Sequence, residues 1–509
     1  MQHALRSVLL PSIGALALVA APALGAASNS SGNTGNTAVD APAPTFHGEV
    51  SRILQAECQV CHRPGGANLG GMVAPMSLVS YDETRPWARS IAKKVASREM
   101  PPWHASPEQA GLFHNERTLS DEQIDTLVRW AKAGAPAGDV AAAPPALEWP
   151  DDGGWMIGEP DLVLTVDEPF FVDDDVEDQY VYLKTTMTED LLPEDRYVKA
   201  IEFRPGSSVV HHIIVPGLGG IAPGNDPAIY RDGIASVLKA GKDLQWQMHY
   251  HKEPGPGTGV WEQSKVALKF YDSADEVKYT MQNADLGRFD FVLPPGESEV
   301  TTSQEFTFPV DSRIVSYLPH MHLRGKWARY TAFYPDGTSE VLLDVPRYDF
   351  NWQTAYEYET FKQVPAGTRV VFESAWDNSA DNPYNPDPTT TVRWGEPTTD
   401  EMSFGFMSFI NEENSGGNLF GQNGLDVTAI VAFSDKSRDG KMQLDEAPEQ
   451  VKAYFAMMDT SKDGAVDMDE ARAANAFLEK QFASRRSAQA GSEESTDAPA
   501  ADESGESGE

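Results

Sequence analysis

Between residues 159 and 425 the chain carries no helix-length apolar stripe. It carries short runs rich in β-branched and aromatic residues, "DLVLTV", "QYVYLKTTM", "KVALKFYD", "RIVSYLPHMH" and "TRVVFESAW", separated by turn residues. Runs of this kind suit half-buried strands, because successive side chains point to opposite faces. The spacing predicts all-β sandwich domains, and the length fits two of them, divided here as 159–275 and 276–425.

The flanks differ. Residues 45–138 have helical patterning, as in "SDEQIDTLVRWAKAGAP", where Ser120 and Gln123 form a capping box and Gly134 with Pro136 ends the helix. Residues 426–482 turn helical again. Residues 27–44 and 139–158 read as linkers, and 483–509 as an acidic tail, with neither a basic nor an aromatic residue after Arg486. Residues 1–26 read as a secretory signal: Arg6, then an apolar stretch, then small residues. The chain should therefore be exported, to the periplasm or beyond, with no stable membrane span. The net charge of −37 argues against nucleic acid and anionic membranes as partners.

The only two cysteines lie together in "CQVCH", residues 58–62. C-x-x-C-H is the attachment pattern of a c-type haem, with Cys58 and Cys61 as thioether carriers and His62 as an axial ligand. A redox dithiol would want a βαβ context, and a zinc ribbon would need two more cysteines. The other axial ligand should be a soft donor downstream. Met100, beside two prolines, is the first choice; Met72, Met76 and His104 are rivals. The 45–138 region is thus expected to be a small α-helical cytochrome c-like domain.

Two further stretches, "DKSRDGKMQLDE" and "DTSKDGAVDMDE", each put oxygen donors at positions 1, 3, 5 and 9, glycine at 6 and glutamate at 12. That is the calcium-loop pattern of an EF-hand. The ligands would be Asp435, Ser437, Asp439, Lys441 (through its carbonyl), Gln443 and Glu446 in the first loop. In the second they would be Asp459, Ser461, Asp463, Ala465 (through its carbonyl), Asp467 and Glu470. An α-helical EF-hand pair holding about two calcium ions is the expectation.

Of the eleven histidines, six fall in three pairs within the β-rich region: His211 with His212, His249 with His251, His320 with His322. Residues two apart share a strand face, so each H-x-H pair could chelate a metal. His211 and His212 point to opposite faces unless a strand end or bulge brings them together. Imidazole suits zinc, copper, iron and nickel, so spacing alone leaves the metal open.

Four stretches in order, "VVHHIIV", "MHYH", "HMHLRGK" and "TTDEM", resemble the copper type II, ascorbate-dependent monooxygenases, the family of peptidylglycine α-hydroxylating and dopamine β-monooxygenases. The resemblance covers about half the chain, 159–425. It implies two β-sandwich (jelly-roll-like) domains with one copper each, facing across a cleft. It also implies that His211, His212 and His249 hold an electron-transfer copper, and that His320, His322 and Met402 hold the copper where O2 reacts. His251, Asp400 and Glu401 would stand behind these ligands. The chain departs from the family's disulfide-rich animal enzymes in having no cysteine outside the haem motif, and in adding a haem segment and calcium loops. The expected function is hydroxylation of an organic substrate with O2, electrons entering from a soluble or protein donor through the haem. A haem and copper electron carrier without oxygenase activity, and a zinc hydrolase, are the alternatives.

Overall fold

In the computed structural model the described residues are 42–64, 66, 74–148, 154–222, 224–415, 417, 426–478 and 480. The signal segment, Met72 and the acidic tail lie outside them. The described residues from Pro44 onward form one compact unit. Four principal sheets dominate it. One has six strands in the order Leu162–Thr165, Lys265–Phe270, Arg196–Arg204, Ile234–Leu238, Tyr279–Thr280, with Ala228–Ile229 paired to the side. The second runs Asp178–Thr185, Leu244–His251, Val210–Val215, Gly219–Ile221. The third runs Gln282–Gly287, Phe404–Asn411, Ser312–His320, Tyr356–Val364, and the fourth Val300–Thr307, Arg369–Trp376, Gly325–Phe333, Ser339–Val345.

Two large apolar clusters follow from the alternation of these strands. One gathers Leu164, Val198, Phe203 and Val266 with Val210, Ile213, Trp246 and Met248. The other gathers Ile314, Tyr317, Met407 and Phe409 with Phe306, Tyr330, Phe372 and Trp376.

The fold class expected from the sequence needs correction. The chain is mostly β, 33% strand against 19% helix, with four sheets as its main bodies. Neither a helical cytochrome domain nor a helical EF-hand pair stands out among the described residues. The physical reason is length. In the first region Ser51–Glu57 has seven residues, Ala88–Ala96 nine and Asp121–Lys132 twelve. Between the two acidic loops Glu449–Lys452 and Phe455–Met458 are single turns. Helical periodicity is present and each stretch gathers a small apolar cluster of its own, but turns keep the helices short. The two-sandwich expectation fails on a different point, since strand periodicity reports which residues face inward and not how sheets group.

The Ser120 and Gln123 capping box is formed, and Gly134 follows the helix end in the left-handed region at φ +86°. The segment between this helix and Met100 is strapped to the β body. Ser106 N–H donates to Asp344 O (2.8 Å), His114 N–H to Glu357 O (2.7 Å), and Glu359 N–H to Leu112 O (2.9 Å). Trp103 packs edge-on against Tyr356, and Phe113 stacks on Tyr358. Arg117 pairs with Asp226 and donates to Gly224 O. The described part of the 139–158 linker is also held, through Arg52 to Ala142 O and Gln55 to Pro145 O.

Candidate metal centre

His212 and His249 are direct register partners across the antiparallel strands Val210–Val215 and Leu244–His251. The register shifts between Val210 and His212, so the ladder is irregular at His211. An extra residue at such a point turns its side chain toward its neighbour's side. The consequence is a cluster: ligand atoms of His211, His212 and His249 all lie within 4.8 Å of one another. His249 Nδ1 and His212 Nδ1 are 3.3 Å apart. Two nitrogens each about 2.0–2.1 Å from one tetrahedral metal would sit about that far from each other.

Outer contacts fix which nitrogens are free. His249 donates from Nε2 to Asp178, leaving Nδ1 turned toward the cluster. Tyr180 stacks on the His249 ring at 4.2 Å. Neither nitrogen of His211, nor Nε2 of His212, has a hydrogen-bond partner although all three atoms are shut away from water. Burial holds His211 and His212 well below the ordinary imidazole range, and neighbouring histidines lower them further. They are neutral near pH 7, the form that ligates metals. Asp178 is held well below the usual carboxylate range; burial would raise it, but bonds from His249 and Thr398 outweigh that.

The second set starts where the strand Ser312–His320 ends. His320 donates from Nδ1 to Gln353 Oε1 (2.6 Å), and burial lowers its imidazole to about 4. His322 lies in the turn that follows, its ring 5.3 Å from that of His320. Its Nδ1–H donates to Asp400 O (3.2 Å), and its buried Nε2 has no partner. Glu401 is fully buried and accepts from His322 N–H (2.8 Å) and Arg324 N–H (2.6 Å). Burial pushes the Glu401 carboxyl up to about 8. Met402 is buried with Phe289, Phe404 and Ala429. The residues flanking it reach the histidines, Glu401 through the His322 backbone and Phe404 with its ring 6.4 Å from that of His320.

The two sets adjoin. The rings of His212 and His320 are 6.4 Å apart, and Phe350 stacks on His211 (4.6 Å) while meeting His322 edge-on (5.8 Å). The resemblance implies a cleft between them; here Phe350 and direct ring contact fill that space. His251 is exposed, its ring 6.3 Å from His211 and outside the cluster. Sequence reasoning missed Asp178, Thr398, Gln353 and Phe350. Asp178 is the register partner of His251 on a strand with no histidine, and only strand pairing brings it near.

At the cysteine motif both thiols are free and half-buried. Burial pushes Cys58 up to about 12 and raises Cys61. His62 Nδ1–H donates to Met76 O (3.3 Å), which leaves Nε2 for a metal. Met100 and His104 line one open cavity of about 490 Å³ with Trp103, Arg117 and Ile124. His104 Nδ1 is buried without a partner; none of Cys58, Cys61 and His62 lines this cavity.

The acidic loops are paired by short strands, with Met442 opposite Val466. Gly440 and Gly464 have φ of +85° and +91°, as the sixth loop position requires. Asp435 accepts from Gly440 N–H (2.7 Å) and Glu446 from Ser437 and Gln443 N–H (both 2.9 Å). In the second loop Glu470 accepts from Ser461 (2.7 Å) and Asp467 (3.1 Å). Ser437 Oγ donates to Asp435 (3.1 Å) and Ser461 Oγ to Asp459 (3.4 Å) within their loops. Lys441 pairs with Asp463 across them.

No family model and no curated protein matches the chain. Among solved structures it is similar to the VP2 subviral particle of infectious bursal disease virus (10% identity, 52% of this chain and 75% of that chain, TM-score 0.17). It is also similar to the major capsid protein P2 of bacteriophage PM2 (10%, 52% and 99%, TM-score 0.21). A two-domain protein of unknown function from Bacteroides fragilis is similar over 48% of this chain and 94% of its own, at 9% identity and TM-score 0.15. Likeness at these scores bears on neither fold nor function.

Proposed function

We propose that the chain is an exported copper-dependent monooxygenase, catalysing R–H + O2 + 2 e⁻ + 2 H⁺ → R–OH + H2O on an organic substrate. The observation that carries this reading is the pair of adjoining histidine sets, four buried imidazoles and the half-buried His211, with unpartnered ring nitrogens at His211 and His322. Unpartnered buried polar atoms are costly unless something ligates them. His211, His212 and His249 would hold one copper, and His320, His322 and Met402 the other. Copper there would supply one-electron chemistry and O2 activation. A thioether at Met402 favours Cu(I) and is a poor zinc donor, which weighs against a hydrolase.

The protein's own groups do the positioning. Asp178 and Gln353 fix the rings of His249 and His320, and Glu401 holds the turn that carries His322. Phe350 and the buried walls exclude water. Cys58, Cys61 and His62 would carry a haem supplying electrons singly, with Met100 or His104 as the opposite ligand. The 103–117 strap keeps that segment against the β body. The two acidic loops would hold calcium. No helix among the described residues is long and apolar enough to cross a membrane.

The test is metal content with oxygen uptake. Protein matured with haem and loaded from mixed copper and zinc should take two coppers per chain. It should then consume O2 with a reductant and hydroxylate members of a substrate panel. Two tightly held zincs and no copper would overturn the reading. Two coppers with no substrate-dependent uptake across the panel would leave an electron carrier.

A further inference from the structure

We infer that Thr398, on the loop that carries Met402, is a positioning residue that sets the electron richness of His249 through Asp178. This rests on the copper reading above. Asp178 sits between two partners. One carboxylate oxygen receives the Nε2 proton of His249. The other receives two bonds from Thr398, from the backbone N–H at 2.8 Å and from the hydroxyl at 2.6 Å. Thr398 is 3% exposed, so water does not compete for these bonds.

The same loop grips the other set. Thr399 O accepts from Arg324 Nη1 (2.8 Å), Asp400 O accepts from His322 Nδ1 (3.2 Å), and Glu401 holds the His322 and Arg324 backbones. A second clasp lies alongside: Tyr182 (2.5 Å), on the neighbouring strand, and Gln247 (2.9 Å), on the strand of His249 itself, both donate to Glu396. Five consecutive residues, 398 to 402, therefore link Asp178 behind one set to the turn and thioether of the other.

The direction of the effect follows from charge sharing. A carboxylate that accepts from Thr398 is a weaker acceptor toward His249. With the hydroxyl removed, Asp178 draws the Nε2 proton more strongly and the imidazole becomes a stronger donor at Nδ1. A stronger nitrogen donor favours Cu(II) over Cu(I). Outer partners of metal-bound histidines change metal affinity by about 10–100-fold when removed.

The experiment uses the haem-loaded full chain with His320→Ala and His322→Ala, so that one copper is held. Cu(II) and Cu(I) affinities are measured by chelator competition, with thermal unfolding as the check on folding. Thr398→Val keeps the shape and the backbone N–H but removes the hydroxyl; Thr398→Ser keeps both donors. The ratio of Cu(II) to Cu(I) affinity should rise on the order of tenfold in Thr398→Val and stay near the parent value in Thr398→Ser. Copper bound with the same ratio in all three proteins overturns this inference alone. No copper bound by the parent overturns the copper reading and this inference with it.

Discussion

His211 is oriented without a hydrogen bond. Neither ring nitrogen has a partner, and its firmest contact is the stacked ring of Phe350 at 4.6 Å. Phe350→Leu keeps an apolar side chain but loses the flat face. Copper affinity of the three-histidine set should fall by about tenfold, read by copper titration against a chelator. Unchanged affinity would mean that the strand irregularity alone orients His211. A second residue gives a pH signature away from the metals. Asp285, on the strand Gln282–Gly287, is pushed by burial up to about 7 from an ordinary 3.8. The folded chain keeps a proton that the unfolded chain has released, so stability falls as pH rises between these two values. Its contribution is at most about 1.4 kcal/mol per pH unit. Asp285→Asn should flatten that part of the stability profile in chemical denaturation at pH 4 to 7; an unaltered slope would assign the titration elsewhere.

At the scale of elements, the acidic-loop segment rests on the loop of Met402. Ala429 of the helix Val427–Ser434 is buried with Met402, and Phe433 packs against Trp394 (4.7 Å) and Phe289 (5.8 Å). Arg438, inside the first loop, reaches Asp400 at 4.0 Å. Chelating calcium leaves the loop carboxylates to repel one another. Hydrogen exchange should then rise in 435–470 first and next in the peptide containing Met402. Faster exchange in the loops with none at Met402 would show that the packing does not transmit. The sharp turns at Gly440 and Gly464 were legible in the sequence because the pattern that demands them is local, twelve residues each. The histidine pairs were legible for the same reason, and the need for an irregularity at His211 followed from strand alternation. Asp178, Thr398, Gln353 and Phe350 were not legible: each reaches the site through pairing or a turn distant in sequence. The grouping of sheets was hidden too, since inward and outward alternation is the same in any sheet arrangement.

At the scale of the whole molecule, the segment that follows the cysteine motif is held against the β body. Sequence composition at 139–158 suggested a flexible connection, yet 103–117 lies along the β body through backbone bonds and the rings of Trp103 and Phe113. Haem absorbance and far-ultraviolet ellipticity should therefore be lost in one transition. Trp103→Ala, at about 3 kcal/mol or more, should separate them. Two transitions already present in the unsubstituted protein would contradict a fixed seam. The central claim is that two unlike copper sites adjoin, one of nitrogen ligands only and one with a thioether. X-ray absorption at the copper edge of the reduced, fully loaded chain tests it most directly. The account predicts two coppers per chain with an average of about half a sulfur donor per copper, one thioether shared over two ions, and loss of that sulfur in Met402→Ile. A copper spectrum with no sulfur, or with sulfur that survives Met402→Ile, would contradict it.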